Sequence, residues 1–590
     1  MVTGCQEASQ PAELSRRLTR EAGLLVNPPV TCGLLLGLAL GWVIVHYNVS
    51  IDWRDRLVLY LWCQVAALAI SGGILLTAVV VREALPRLLR TGVPPLPACY
   101  VSLFVVLVSS LCAFRRYFYI VPVATTGDIE TAYWRFWSGV ALLVTVAAIV
   151  WLLLLRAIPR WTTSLRSARP ALLGWAIALT GGVVTVGSGV PAQGPAAAPI
   201  PLLPASRPRV ILVGVDGAVW SVIDRMQASG RLPNLRRLRE RGAYGPLATQ
   251  IPTTSPAIWT TIFTGLPPER HRIKDFRVYR LPGMSEGAFI PEGFIRPMDF
   301  LADRDLIRRI LINHSYSDVG RLWDMVGAAG GEVVVTAPLG SWPAPEVEGS
   351  FVADQTWERL NEESGHITNT AGLFYPPEEL ASLLASLDRT ELLESRDSMA
   401  AALFLQQWKA AAEPRFGFVY LRQVDLTSHD VFCGDTDCYP SGGDPSELER
   451  RYEFVDGVLG RLVALLDEQS YLMVVSDHGF RSYVHGGKLI ASHFDAPPGI
   501  ILLVGPGVVE GRVLENAHVA DVAPTVLHLL GLPIGADMPR GPLLGALAEP
   551  GEPQRIASWS GVSNRIDRAD VVAELEEELT TQLQDLGYIH

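Results

Sequence analysis

The chain has 590 residues, of which 49% are hydrophobic, with a mean hydropathy of +0.26 and a formal net charge of −11 at neutral pH. That length leaves room for more than one domain, and the acidic balance excludes a basic footprint for nucleic acid. The apolar residues crowd ahead of about Gly189, whereas the chain beyond about Arg207 reads as a globular α/β sequence.

Five apolar runs come first: Val30–Val45, Leu57–Val81, Leu96–Phe114, Phe136–Leu155 and Ala171–Val190. Each approaches the roughly 20 residues that span a bilayer core, and a cleavable signal peptide would account for only one. Ten arginines (Arg16, Arg17, Arg20, Arg82, Arg87, Arg90, Arg156, Arg160, Arg166, Arg169) flank one set of run ends, and five (Arg54, Arg56, Arg115, Arg116, Arg135) flank the other. The expectation is an α-helical membrane domain over 1–190 with its N-terminus in the cytoplasm. Five crossings would place the rest of this multi-pass cell-membrane protein on the extracytoplasmic side. Residues 191–208, rich in Pro and Ala, read as a linker to a second domain over 209–590.

That second domain opens with Arg209–Val215 (RVILVGV), a buried-strand pattern ending at Asp216-Gly217. The same strand-then-acid design recurs at Phe416–Leu421 ahead of Asp425, and at Tyr471–Val475 ahead of Ser476-Asp477-His478. A fourth apolar run, Gly499–Val504, follows His493, and Glu447–Gln469 carries a helical apolar stripe. Strands alternating with helices predict an α/β fold with a mostly parallel sheet between helices. Residues Phe276–Asp318 are irregular and read as an inserted cap over a site. Cys433 and Cys438 are the only cysteines of this part, and a local disulfide between them suits an oxidising compartment.

The acids and histidines at these strand ends point to metal chemistry. Zn²⁺ takes imidazole nitrogen and carboxylate oxygen, and two such ions can clamp an in-line displacement at phosphorus. A hydroxyl is supplied by Ile251–Gly265 (IPTTSPAIWTTIFTG), where Ser255 stands before a proline that can open a helix. A hydroxyl at a helix N-terminus faces free N–H groups, which suits a phosphate. Asp425 and His429 are four apart, so one helical turn brings them together.

These pieces resemble the alkaline phosphatase superfamily, and most closely its type I phosphodiesterase/nucleotide pyrophosphatase branch. The resemblance rests on Val215-Asp216-Gly217, Leu232–Leu238 (LPNLRRL), Thr253–Gly265 and Asp425–His429, then Ser476–Phe480 (SDHGF), and His493 ahead of Gly505-Pro506-Gly507. It implies an alkaline-phosphatase-like domain with two divalent cations, zinc or manganese. Asp425, His429 and His493 would hold one; Asp216, Asp477 and His478 would hold the other, with Ser255 bridging as nucleophile and forming a phosphoseryl intermediate. Thr254 is the neighbouring alternative to Ser255, and His485 competes with His493.

The departures are informative. The offset at which nucleotide pyrophosphatases carry a phosphate-binding asparagine holds Ile258, so that activity is not implied. The Ser255 segment also lacks the pattern that sulfatases require. Membrane phosphoethanolamine and phosphoglycerol transferases of the superfamily share the architecture, which leaves a transferase beside the hydrolase; a non-catalytic membrane binding protein is a third reading. No arginine or lysine stands near Ser255 until Arg270, Arg272 and Lys274, while Pro256, Ala257, Ile258 and Trp259 are apolar. The expected partner is therefore a phosphodiester, free or lipid-linked, rather than a dianionic monoester.

Overall fold

In the computed structural model, residues 30–48 (apart from 31, 35, 43, 46 and 47) and 51–89 are described. So are residues 200–562, apart from 204–207, 252, 291–294, 318, 358–371, 388–393, 433–444, 486–487 and 493–495. The chain divides into two compact units, one of residues 1–190 with 279–309 and one of 191–278 with 310–590.

In the first unit, helix α1 runs over Trp53–Leu89, and its segment Trp53–Thr77 is 25 residues long with hydropathy 1.8. Among the described residues it is the one helix long and apolar enough to cross a membrane; Cys32–Trp42 is helical but shorter. Of the five expected spans, the described residues show one candidate. The third, fourth and fifth apolar runs lie outside them.

Residues 279–309, within the segment expected to be an inserted cap, belong to the first unit. Residues 279–309 share a core with the start of α1 and the turn before it, through Ile44, Val45, Ile51, Leu59, Tyr279, Leu281, Met284, Ala288 and Ile290. Two buried polar side chains hold it there. Asp55 accepts from Ser285 N (2.8 Å), Ser285 Oγ (2.8 Å) and Glu286 N (2.7 Å). Asn48 exchanges bonds with the backbone of Phe289, donating to its O at 2.8 Å and accepting from its N at 2.8 Å. An irregular segment buries few of its own backbone bonds, so side chains from elsewhere must satisfy them.

The second unit is built on one mixed sheet. In chain order its elements include β1 (Arg209–Val215), α2 (Trp220–Ala228), α3 (Pro233–Arg241), β2 (Ala243–Ala248) and α4 (Ser255–Thr264). There follow α5 (Leu322–Ala328), β3 (Glu332–Thr336), β4 (Gly349–Val352), β5 (Phe374–Tyr375), α6 (Arg396–Ala410), β6 (Pro414–Leu421) and α7 (Gln423–Val431). Last come α8 (Pro445–Val463), β7 (Ser470–Val475), β8 (Gly499–Val504), β9 (Arg512–Val513) and β10 (Ala517–His518).

The strand order is β9-β2-β8-β7-β1-β6-β3-β4-β5, with β10 on β2. The centre, β7-β1-β6-β3-β4, is parallel, as the alternation of strands and helices predicts. Strand β8 is antiparallel to both β7 and β2, so the sheet is mixed at that side. Strand β1 shows why its apolar run is unbroken. Val210 and Leu212 enter one core with Trp259, Phe263, Trp323 and Phe418, while Ile211, Val213 and Val215 enter the other with Phe404, Trp408 and Tyr452. A strand covered on both faces cannot alternate with polar residues.

The helical stripe of Glu447–Gln469 is realised as α8, which buries Tyr452, Val455, Val458, Leu459 and Leu462. It also explains the LPNLRRL segment. Pro233 opens α3, and the carboxylate of Asp456 on α8 accepts from Leu235 N at 2.7 Å and Asn234 Nδ2 at 2.9 Å. The segment is a helix start capped from outside.

Candidate active site

Three neighbouring parallel strands deliver the acids. Strand β1 lies between β6 and β7, with Val215 opposite Leu421 and Gly214 opposite Val475. Asp216, Asp425 and Asp477 therefore emerge beside one another at the same end of the sheet, where the carboxyl ends of parallel strands form sites. All three are 0% exposed, as is His478.

Nε2 of His478 sits at the centre. It lies 3.4 Å from Asp216 Oδ1, 3.3 Å from Asp477 Oδ2, 4.0 Å from Asp425 Oδ1 and 3.2 Å from Ser255 Oγ. Nδ1 lies 3.1 Å from the carbonyl of Gly479, which can only accept, so Nδ1 carries a proton. In the neutral imidazole this leaves the Nε2 lone pair aimed at three carboxylates, an arrangement that calls for a cation. Asp216 Oδ1 and Asp477 Oδ2 are buried oxygens without a hydrogen bond. One ligand atom each from Asp216, Asp425 and His478 fall within 4.8 Å of one another. Burial and the charges of Asp216 and Asp425 push the Asp477 carboxyl well above the usual carboxylate range. Unsatisfied buried oxygens, an inward lone pair and repelling carboxylates fit a divalent metal.

Asp216 is held by residues that the sequence reading passed over. Its Oδ2 accepts from the Tyr420 hydroxyl and from Trp259 Nε1, the latter at 3.3 Å, which turns Oδ1 toward His478. The Tyr420 and Trp259 rings meet edge-on with centroids 5.1 Å apart. Gly214 makes this possible, since a Cβ there would stand 2.6 Å from the Trp259 ring. Trp259 lies one turn after Ser255 on α4, so a single helix carries the hydroxyl and orients an acid. Tyr420 was hidden in the apolar run of β6. Ser476 Oγ accepts from Ala218 N at 2.9 Å and donates to His478 O at 2.8 Å, tying two strand-end turns together.

Ser255 is the first residue of α4, with Thr254 as the flanking residue and Pro256 behind it. Thr254, not Ser255, thus occupies the capping position of the helix. The two hydroxyls part company: Ser255 Oγ faces His478, whereas Thr254 Oγ1 donates to Lys274 O at 2.8 Å. That bond brings the Lys274 backbone beside the residue before Ser255. Lys274 is 6% exposed, and burial lowers its pKa.

Asp425 and His429 share α7 one turn apart, with His429 Nε2 at 3.7 Å from Asp425 Oδ1. The His429 side chain is 39% exposed at the rim, and its pKa is lowered by the partial loss of water around the ring, against the pull of Asp216 and Asp430. Phe480 packs edge-on to both His429 and His478, at 5.0 and 5.8 Å. Gly217, with φ +69°, admits this closeness, since a Cβ there would lie 2.7 Å from Phe480 and 3.0 Å from the Asp425 backbone. His493, Cys433 and Cys438 lie outside the described residues, and the His485 and Lys488 side chains are not described.

The sequence profile of the family described as type I phosphodiesterase / nucleotide pyrophosphatase matches residues 210–516. Among curated proteins, the 2,3-bisphosphoglycerate-independent phosphoglycerate mutase of Dinoroseobacter shibae is 29% identical over 259 residues, 42% of this chain and 45% of that protein. Its counterpart from Desulforudis audaxviator is 38% identical over 100 residues, 16% of this chain and 19% of that protein. The chain thus spans less than half the length of these relatives. Among solved structures, murine ectonucleotide pyrophosphatase / phosphodiesterase 5, as an inactive form in complex with AMP, is 16% identical with a TM-score of 0.35, covering 55% of this chain and 95% of that one.

Proposed function

The chain belongs to the type I phosphodiesterase / nucleotide pyrophosphatase family, and from that premise we propose that residues 209–590 form a two-metal phosphodiesterase acting through Ser255. The observation that carries this reading is the 3.2 Å approach of Ser255 Oγ to His478 Nε2, among Asp216, Asp425 and Asp477. Asp216, Asp477 and His478 would hold one divalent cation, and Asp425, His429 and His493 the other, zinc or manganese. Such ions lower the pKa of a coordinated hydroxyl and neutralise charge that builds on phosphoryl oxygens.

The rest is done by the chain. Ser255 Oγ attacks phosphorus as the bond to the leaving alcohol breaks and the alcohol leaves with the serine proton, giving a phosphoseryl group that keeps the second ester; water then attacks phosphorus, gives a proton to the departing Ser255 Oγ, and the monoester is released. The N-terminus of α4 faces the phosphoryl group with its positive end. Tyr420 and Trp259 hold Asp216 through its Oδ2.

A diester is favoured as substrate by the family and by the sequence from Ser255 to Glu269, which holds no arginine or lysine to pair with a second negative charge. Lys274 is the residue that would favour a monoester instead. The test is kcat/KM for bis(4-nitrophenyl) phosphate against 4-nitrophenyl phosphate, with and without a lipid alcohol as acceptor. Faster release from the diester into water supports the proposal. A preference for the monoester that Lys274→Ala removes would overturn it, and transfer to the alcohol in place of water would make the protein a transferase.

Location at a membrane is part of the same proposal and rests on α1 over Trp53–Thr77. A reporter fused after His590 reads the side on which the catalytic unit lies; activity of that fusion only in the cytoplasm would reject the extracytoplasmic placement.

A further inference from the structure

The helix that carries Asp425 and His429 begins without a cap of its own. Arg422, the residue flanking α7, has φ −106° and ψ −19° and no side-chain bond to the first turn. The free N–H groups are met from α6 instead. Asp397 Oδ1 accepts from Arg422 N at 2.8 Å and Oδ2 accepts from Gln423 N at 3.0 Å. The Asp397 side chain belongs to a residue 1% exposed, and 25 positions separate it from Arg422. A two-pronged bond from one carboxylate to consecutive N–H groups sets both the position and the rotation of a helix start. Asp425 is the third residue of that helix, so its carboxylate direction follows the rotation of the first turn.

We infer that Asp397 is a positioning residue for the metal centre, acting through the N-terminus of α7 to aim Asp425, and with it His429, at the cation. Burial raises the Asp397 pKa to about 6, offset by these same N–H groups and by Arg396 and Arg451, so near neutral pH it serves as a charged acceptor. Outer partners that orient a ligand without touching the ion change affinity by about 10- to 100-fold when removed. The inference rests on the metal reading of Asp425.

Asp397→Asn keeps the shape but has one carbonyl oxygen, and its NH₂ group opposes the second N–H. Calorimetric titration of the metal-free full-length protein with Mn²⁺ and with Zn²⁺ should show the variant weakened by about 10- to 100-fold for one ion. Asp456→Asn is the control, because Asp456 caps α3, which holds no site residue. It should lower Tm while leaving the titration unchanged. A merely structural role for Asp397 predicts the same pattern as that control, and would overturn the inference. Should Asp397→Asn yield no folded protein, Asp397→Glu moves the carboxylate by one methylene and is titrated in its place; wild-type affinity there would equally overturn it. Wild-type protein that takes up no ion would defeat the metal reading together with this inference. Normal uptake by wild type with an unaltered Asp397→Asn isotherm would defeat this inference alone.

Discussion

Ser255 Oγ and His478 Nε2 stand 3.2 Å apart although 223 positions separate the two residues. The neighbouring Thr254 hydroxyl is turned away to Lys274 O at 2.8 Å. Ser255→Ala should therefore reduce turnover by more than about 10³-fold with the fold retained, as loss of a nucleophile does. Covalent phosphate on the protein, read by mass spectrometry after rapid quenching, should vanish with it. Thr254→Ala loses a single hydrogen bond worth about 1 kcal/mol and should keep activity within about tenfold. The reverse outcome would assign the chemistry to Thr254.

The cluster at Asp477 predicts how metal and pH act together. Its carboxyl is raised well above 3.8 in the folded protein. Metal-free folded protein then holds a proton that the unfolded chain has released, so this group's contribution to stability falls as pH rises from about 4 through the folded value. A bound cation relieves the repulsion from Asp216 and Asp425. The gain in Tm on adding Zn²⁺ to chelator-treated protein should thus grow with pH across that window, by scanning calorimetry. A gain that is flat or shrinks with pH would count against a metal at these carboxylates.

Tyr420 donates to the Asp216 oxygen that faces away from His478. Tyr420→Phe keeps the ring against Trp259 and removes the hydroxyl that makes that bond. Metal affinity should fall by about 10- to 100-fold, with kcat reduced at limiting metal and partly restored at excess metal. Gly214→Ala approaches the same place from behind, since its Cβ would meet the Trp259 ring at 2.6 Å. Overpacking of this kind costs about 1–3 kcal/mol, which urea denaturation would measure.

Asp55 accepts three hydrogen bonds from Ser285 and Glu286. Asp55→Ala leaves those donors without their acceptor, a loss of about 1–3 kcal/mol for a buried group. Limited proteolysis should then cut within 279–309 sooner than in wild type, with Asn48→Ala acting in the same direction. Unchanged cleavage would show that the apolar contacts of Leu281, Met284 and Ile290 hold the segment alone.

Much of the catalytic unit was legible in the chain because strand ends are local signals. An unbroken apolar run such as Arg209–Val215 reports a strand covered on both faces, and the acid after it reports the end of that strand. The pairs Asp425/His429 and Asp477/His478 were legible for the same reason, being within one turn or adjacent. The antiparallel placement of β8 was not, since an apolar run carries no direction. Nor was the work of Trp259, Tyr420 and Asp397, whose partners lie 43, 204 and 25 positions away. An aromatic residue in a strand or helix reads as core whether or not its polar atom meets a carboxylate. The partner of residues 279–309 was hidden as well, because Asp55, in the first turn of α1, and Asn48, in the turn before it, read as ordinary polar residues until the fold brings irregular backbone to them. The sequence by itself determined that central strands would end on Asp216, Asp425 and Asp477, which stand together with His478 and Ser255. The tertiary structure alone decided how each is aimed, because aim depends on bonds between residues far apart in the chain.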